Sequence, residues 1–319
     1  MRIAVLGTGR MGAYRAEWLR RHPDVEEVVV GSVRAGTVEA ALDTGVDAAV
    51  ISSATPDHAP HVALCADRGL PMLCEKPIAL ALDETAAAVE FAGPLLQVSF
   101  QRRFDPGFAE ARRLVETGAL GTLYCIRMGS FDHEPSPEHF IPGSGGIVRD
   151  LQIHDIDAAR WLTGLEVESV YATGAVRRWQ RFAQHGDLDT SVLVLTMTGG
   201  LPVVATGTRH DPRGYDVRME LLGSDDSIAV GLGARTPLRS VEDDGPEFAG
   251  VTYRGFLDRF ERAFDAEMRA WLEFAHGRCE NLCPGVEALH ALRVAIACNR
   301  SSEEQRVVAV AEVDQSSVR

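Results

Sequence analysis

The sequence predicts an α/β protein in two domains: an N-terminal doubly wound parallel sheet, then an α+β domain built on a large, mostly antiparallel open sheet. Three observations lead there. Short apolar runs alternate with helical patterns through the N-terminal third; a glycine-rich turn directly follows the first run; and beyond the helix containing His154 strand-like segments succeed one another with little helix between them. At 319 residues the chain exceeds a typical single domain, and its 45% apolar content can fill a core in each of two.

The elements follow in order. "RIAVLG" and "MGAYRAEWLRRH" read as a buried strand and a helix, and the alternation continues through "EEVVVG", "VEAALD", "DAAVISS", "HAPHVALCADRG", "PMLCE", "DETAAAVEFA" and "LLQVSF". Runs of β type separated by helices imply right-handed crossovers, and so a parallel sheet covered on both faces. Phe108, Ala111, Arg112 and Val115 form one face of a helix over Pro106 to Glu116, which Gly118 ends. After a further helix around His154, the segments "VESVYATGAV", "TSVLVLTM", "LPVVATGTR", "DVRMELLG" and "SIAVGL" predict largely antiparallel strands. Amphipathic helices over Gly255 to His276 and Gly285 to Arg300 close the chain. The domain boundary is expected near residue 120, giving domains over 1–119 and 120–319 with a functional site in the crevice between them.

Lys and Arg number 32 against 46 Asp and Glu, a formal charge of −14, and no basic run is able to follow a phosphate backbone, which argues against nucleic acid as a partner. No apolar run approaches the roughly 18–20 residues of a membrane span, and "MRIAVLGTGRMG" lacks the features of a signal peptide, so a cytoplasmic protein is expected. The cysteines (Cys65, Cys74, Cys125, Cys279, Cys283, Cys298) lack the spacing of a disulfide framework and are expected to be reduced. Cys279 and Cys283 with His276 and His290 match no common zinc spacing, so no metal is expected.

Gly7, Gly9 and Gly12 form G-x-G-x-x-G between the strand "RIAVL" and a helix. Gly7 permits the tight turn, Gly9 admits a pyrophosphate to the backbone, Gly12 packs helix on strand, and the N–H groups at the helix start, around Arg10 and Met11, face the anion. In that frame the motif predicts a dinucleotide-binding Rossmann domain. The acid expected about 20 residues on, which grips the ribose 2′-hydroxyl of NAD, is missing. Gly31 and Ser32 stand there with Arg34 beyond; Ser32 and Arg34 favour the 2′-phosphate of NADP, a shortened adenosine pocket is the other reading, and the cofactor is left as NAD or NADP. The stretch between this region and "DAAVI" lacks room for a second helix and third strand of ordinary length. "CEKP" ends the strand "PML", so Glu75 and Lys76 emerge at the carboxyl edge of the sheet over the cofactor; a surface Lys-Pro turn is the alternative. In "RDLQIHDIDAARWL", Asp150, His154 and Asp157 fall within roughly 60° on one helical stripe. Either that stripe lines a cleft, or its acids cap and solvate a partly exposed helix.

These motifs, together with "SATPDHA" at residues 53–59, "CEKPIAL", "FQRRFDPGF" from Phe100, "GGIVRDLQIHDIDAARWL" and "GYDVRMELLGS" from Gly214, stand in the order seen in the Gfo/Idh/MocA oxidoreductases. The chain resembles that family over nearly its whole length, and its inositol dehydrogenase branch most. The resemblance implies an NAD(P)-dependent dehydrogenase of a cyclic polyol or sugar, assembled as a homodimer or homotetramer through the C-terminal sheet. It implies that Lys76 hydrogen-bonds the substrate alcohol and joins the proton relay, that His154 is the base, and that Asp150 adjusts Lys76 or His154. It further implies that Arg102, Asp132 and Asp157 contact substrate hydroxyls, and that Ser53, Thr55 and His58 touch the nicotinamide half of the cofactor.

The residue types suit that chemistry on their own account. Oxidising a secondary alcohol needs a hydride acceptor, which no side chain supplies, and a base near neutral pH, which histidine is. Two other functions remain open: a glycosidase that oxidises its sugar transiently with a bound nicotinamide, and a non-catalytic ligand sensor.

Overall fold

A computed structural model describes residues 1–246 and 250–315. The chain divides into two compact units, one joining Met1–Phe100 to Asp265–Leu292, the other joining Gln101–Phe264 to the chain from Arg293 on. The division falls after Phe100 rather than near residue 120, and a late segment returns to the first unit.

The first unit carries β1 (Arg2–Leu6), α1 (Arg10–Arg20), β2 (Glu27–Gly31), α2 (Val38–Leu42), β3 (Ala48–Ile51), α3 (His58–Asp67), β4 (Met72–Glu75), α4 (Leu82–Ala92) and β5 (Leu96–Ser99). Its strands pair in parallel in the order β2-β1-β3-β4-β5. β3 and β5 are buried at every position, as a parallel sheet covered on both faces requires. The dinucleotide fold in its six-strand form has a further strand outside the second. Among the described residues β2 is instead the partly exposed edge, because a tight turn at Ser32–Thr37 and a five-residue α2 lead straight to β3. The helix is shortened as the sequence suggests, and the missing strand is the outermost one.

Packing explains the returning segment. Met268, Trp271 and Leu272 join Ile3, Val5, Ala16, Leu19, Val50 and Leu73 in one core cluster. Further on, the Val98 N–H donates to the Cys283 carbonyl at 2.8 Å and Asn281 Nδ2 donates to the Leu96 carbonyl at 2.9 Å, so the outer edge of β5 is closed.

The second unit contains α5 (Pro106–Glu116), β6 (Leu123–Phe131), α6 (Ile141–Ser144), a π-helical turn over Val148–Gln152 that runs into α7 (Ile153–Thr163), β7 (Val167–Ala175), α8 (Gln180–Gln184), β8 (Thr190–Met197), β9 (Pro202–Thr208), β10 (Asp216–Gly223) and β11 (Ser227–Val230). There follow α9 (Phe256–Arg259), α10 (Glu261–Ala275), α11 (Gly285–Glu304), β12 (Val308–Ala309) and α12 (Glu312–Gln315). Seven strands form a mixed sheet in the order β11-β10-β6-β9-β8-β7-β12, in which only the β6–β9 pair is parallel. β6 lies inside this sheet yet is absent from the sequence prediction. Its buried residues are Ile126, Met128, Gly129 and Ser130 and its exposed ones Tyr124 and Arg127, a pattern too mixed to show clean alternation. In α7 every residue from Ile153 to Arg160 is buried. No helix among the described residues is long and apolar enough to cross a membrane. No disulfide joins the six cysteines among the described residues, and burial pushes the Cys65 thiol up to about 12.

Candidate active site

In the first unit the glycine turn is shaped by contacts that leave no room for other residues. Gly7 has φ +122°, its N–H donates to the Gly31 carbonyl at 2.9 Å, and a Cβ on it would stand 2.4 Å from the Ser52 oxygen. A Cβ on Gly12 would lie 2.1 Å from the Gly7 oxygen, which is how α1 comes so close to β1. Gly9 differs: it is exposed, and nothing lies within 4 Å of where its Cβ would be. It immediately precedes α1 and offers that helix no side-chain cap. Open space against uncapped helix N–H groups, beside exposed Arg10 and half-buried Met11, fits a pyrophosphate. The residues present therefore fit a dinucleotide.

Other predicted cofactor contacts fare differently. Ser32 forms the turn beyond β2, its N–H bonding Thr37 Oγ1 at 3.0 Å, and Arg34 is exposed on that turn. Ser53 and Thr55 stand half-buried beyond β3, with Ser53 Oγ 3.0 Å from His61 Nδ1. His58 needs correction. It is 2% exposed, with Nδ1 2.8 Å from the Pro77 carbonyl and Nε2 3.0 Å from the Ser53 carbonyl, so it ties two loops together; burial lowers its pKa. The Glu75 carboxylate, 15% exposed, accepts from Arg15 Nε at 2.9 Å and Nη2 at 2.6 Å, both at one oxygen. Arg15 is fully buried on α1 and also donates to Ser99 Oγ at 2.7 Å and Glu267 at 2.9 Å. Lys76, half-buried, follows this anchored glutamate at the end of β4. The sequence reading missed Arg15, although an arginine on the apolar stripe of Ala16 and Leu19 signals a buried counter-charge.

In the second unit the predicted acids group around a residue the sequence reading also missed. Arg209, just past β9 and 1% exposed, donates from Nη1 to Asp150 Oδ2 at 2.7 Å; the same nitrogen lies 3.6 Å from Asp132 Oδ2. Burial opposes the charge on Arg209, but the nearby Asp150, Asp132 and Asp187 outweigh it and keep the guanidinium charged. Asp150 and Asp132 stay accessible, at 20% and 22% side-chain exposure. His154 is the second residue of α7, at 9% exposure.

Asp157 and Arg102 are corrected as substrate contacts. Asp157 accepts two bonds from Arg103, Nε at 3.0 Å and Nη2 at 2.6 Å, and is 1% exposed. Arg102 donates to Asp155 at 2.5 Å and to Ser130 Oγ at 2.9 Å, and is likewise 1% exposed. The stripe of Asp150, His154 and Asp157 does not exist as a single α-helical face, because Asp150 stands in the π-helical turn and Asp157 turns inward. Asp155, which the sequence leaves without a role, is the buried partner of Arg102.

Residues 1–95 match the family described as an oxidoreductase family with an NAD-binding Rossmann fold, and residues 108–229 match the GFO/IDH/MocA C-terminal domain. The first description names NAD, and the preference for NADP drawn from Ser32 and Arg34 finds no support in it. A myo-inositol dehydrogenase of Streptomyces leeuwenhoekii is 35% identical over 95% of this chain and 97% of its own. The myo-inositol 2-dehydrogenase of Thermotoga maritima is 32% identical over 98% of this chain and 99% of its own. The crystal structure of a myo-inositol dehydrogenase from Corynebacterium glutamicum superimposes with a TM-score of 0.87 at 31% identity, covering 97% and 98% of the two chains. With both halves of the fold matched and likeness extending end to end, the chain belongs to the Gfo/Idh/MocA family of oxidoreductases.

Proposed function

We propose that this protein is an NAD-dependent dehydrogenase that oxidises a secondary hydroxyl of a cyclic polyol, an inositol or a near sugar relative. One observation carries the reading: accessible Asp150, with His154 next along the same helical segment, is held by a buried arginine beside a second accessible acid, Asp132. The relatives at 32% and 35% identity are named myo-inositol dehydrogenases, which supplies the substrate class. When bound, the nicotinamide accepts the hydride that no side chain can take. Gly7, Gly9 and Gly12, with the start of α1 at Arg10 and Met11, hold the pyrophosphate, and Ser32, Ser53 and Thr55 border the rest of the cofactor.

His154 takes the hydroxyl proton at a ring nitrogen, and the Asp150 charge favours the imidazolium that results. Lys76 donates to the substrate oxygen and steadies its alkoxide-like charge. Asp132 accepts from a neighbouring hydroxyl, which a polyol offers and an apolar alcohol does not. A homodimer or homotetramer is proposed with it, tested by light scattering. The function itself is tested by following nicotinamide absorbance with a panel of inositols and sugars and either NAD or NADP. Net NADH formation with a polyol supports the reading, and glycoside cleavage without net NADH defeats it.

A further inference from the structure

We propose that Arg209 is a positioning residue, which fixes through Asp150 and Asp187 the π-helical turn that presents Asp150 and leads into His154. This rests on the reading of Asp150 and His154 as catalytic residues. The backbone of Arg209 is tied to the neighbouring strand region, its N–H donating to the Asp189 carbonyl at 2.9 Å. Its guanidinium carbon stands 6.0 Å from the ring centre of fully buried Phe182, which leaves the nitrogen atoms to aim sideways. Nη1 holds Asp150 at 2.7 Å; Nη2 faces Asp187 Oδ2 at 3.6 Å.

Asp187 carries the restraint onward. Its other oxygen accepts the Ile147 N–H at 2.8 Å and the Leu188 N–H at 2.7 Å, and Ile147 is the residue just before the π-helical turn. Gly146, at φ +85°, would put a Cβ only 3.0 Å from that oxygen, so the chain approaches Asp187 as closely as a glycine allows. The far end of the turn is held by buried Gln152, which donates to the Ala205 carbonyl at 3.3 Å and accepts from Ser191 Oγ at 2.5 Å. A π-helical turn is rare and recurs where a helix must re-aim a functional side chain. Here its entry, middle and exit are each bonded to the sheet or its loops, and Arg209 serves two of the three. Lysine, a point charge on a flexible stem, cannot reach both Asp150 and Asp187 in this way.

The test is a double-mutant cycle of Arg209→Met and Asp150→Asn, reading kcat and KM for the best polyol together with NAD affinity. Arg209→Met should lower kcat by about a hundredfold with NAD affinity within about twofold, yet by less than about threefold in the Asp150→Asn background. Arg209→Lys should recover only part of the loss. Asp187→Ala, remote from the reacting atoms, should also lower kcat and also lose its effect beside Asp150→Asn. Additive losses, or an unchanged kcat in Arg209→Met, overturn the proposal. An Asp150→Asn variant as active as the parent overturns both the role of Asp150 and the route through it. Should no polyol be turned over at all, the function fails while the clamp is still decided by the same cycle in denaturation midpoints. Asp150→Asn must then restore part of the midpoint that Arg209→Met loses, and no recovery overturns it.

Discussion

Replacing Asp157 with alanine separates a buried counter-charge from a substrate contact. The carboxylate and its partner Arg103 have side-chain exposures of 1% and 6% and share two hydrogen bonds, of 3.0 and 2.6 Å. Removing one member of such a pair leaves a buried charge under-compensated, a loss of up to about 3–5 kcal/mol. That is a large share of the roughly 5–15 kcal/mol that holds a domain together. At about 2–4 °C per kcal/mol for a domain of 150–250 residues, the melting point should fall by about 6–20 °C. Circular dichroism melts give the first reading, and polyol KM, measured well below the melt, gives the second. Asp157→Asn, which keeps the shape and one acceptor, should lose less. Replacing Arg103 and Asp157 together by Met and Leu should regain much of the loss, since an apolar pair leaves no stranded charge. A melting point within about 2 °C of the parent, with KM raised about tenfold, would return Asp157 to the substrate and refute the burial reasoning.

Further outcomes are expected. His154→Ala should lower kcat by about 10²–10⁴-fold while leaving NAD affinity, measured by calorimetry, nearly intact; unchanged turnover removes it as the base. Arg34→Ala should leave NAD affinity within about twofold, and a loss common to NAD and NADP would show that Arg34 binds the shared part of the cofactor. Glu267 is fully buried, and burial together with the charge of Glu75 holds its carboxyl above the usual 4.5. Because the folded pKa is raised, its contribution to stability is full below the ordinary value and is lost as pH rises through the raised one. Glu267→Gln, neutral throughout, should flatten that fall. Midpoints of the two proteins that stay a fixed distance apart from about pH 4 to about pH 8 would contradict it.

Much of the fold is legible because parallel strands write their burial as unbroken apolar runs: "AAVI" and "LQVS" are strands β3 and β5 at every buried position. The helix over Pro106–Glu116 is legible because its amphipathic face and the glycine that ends it are local signals. β6 is hidden because two of its four buried residues, Gly129 and Ser130, are small or polar. In the site, Gly7, Gly9 and Gly12 are legible because backbone geometry dictates residue type. Asp157 is misread for the opposite reason. A carboxylate looks the same in sequence whether it meets a substrate or an arginine, and Arg103, which decides the matter, lies 54 positions away. The π-helical turn at Val148–Gln152 leaves no mark in a 3.6-residue periodicity, so the apparent stripe misled.

The segment that comes back to the first unit also sets a timetable for biosynthesis. Trp271, Met268 and Leu272 complete the core around β1 and β3, and Glu267 shares Arg15 with Glu75. Translation through residue 100 makes every strand of the dinucleotide-binding sheet, but neither the aromatic plug nor the second counter-charge. A chain ending before Asp265 should therefore expose β1 and β5 to protease, and resistance equal to that of the full chain would contradict this. The nucleotide-binding unit is finished only once Asp265–Leu292 has followed Met1–Phe100 by more than 160 residues of other chain.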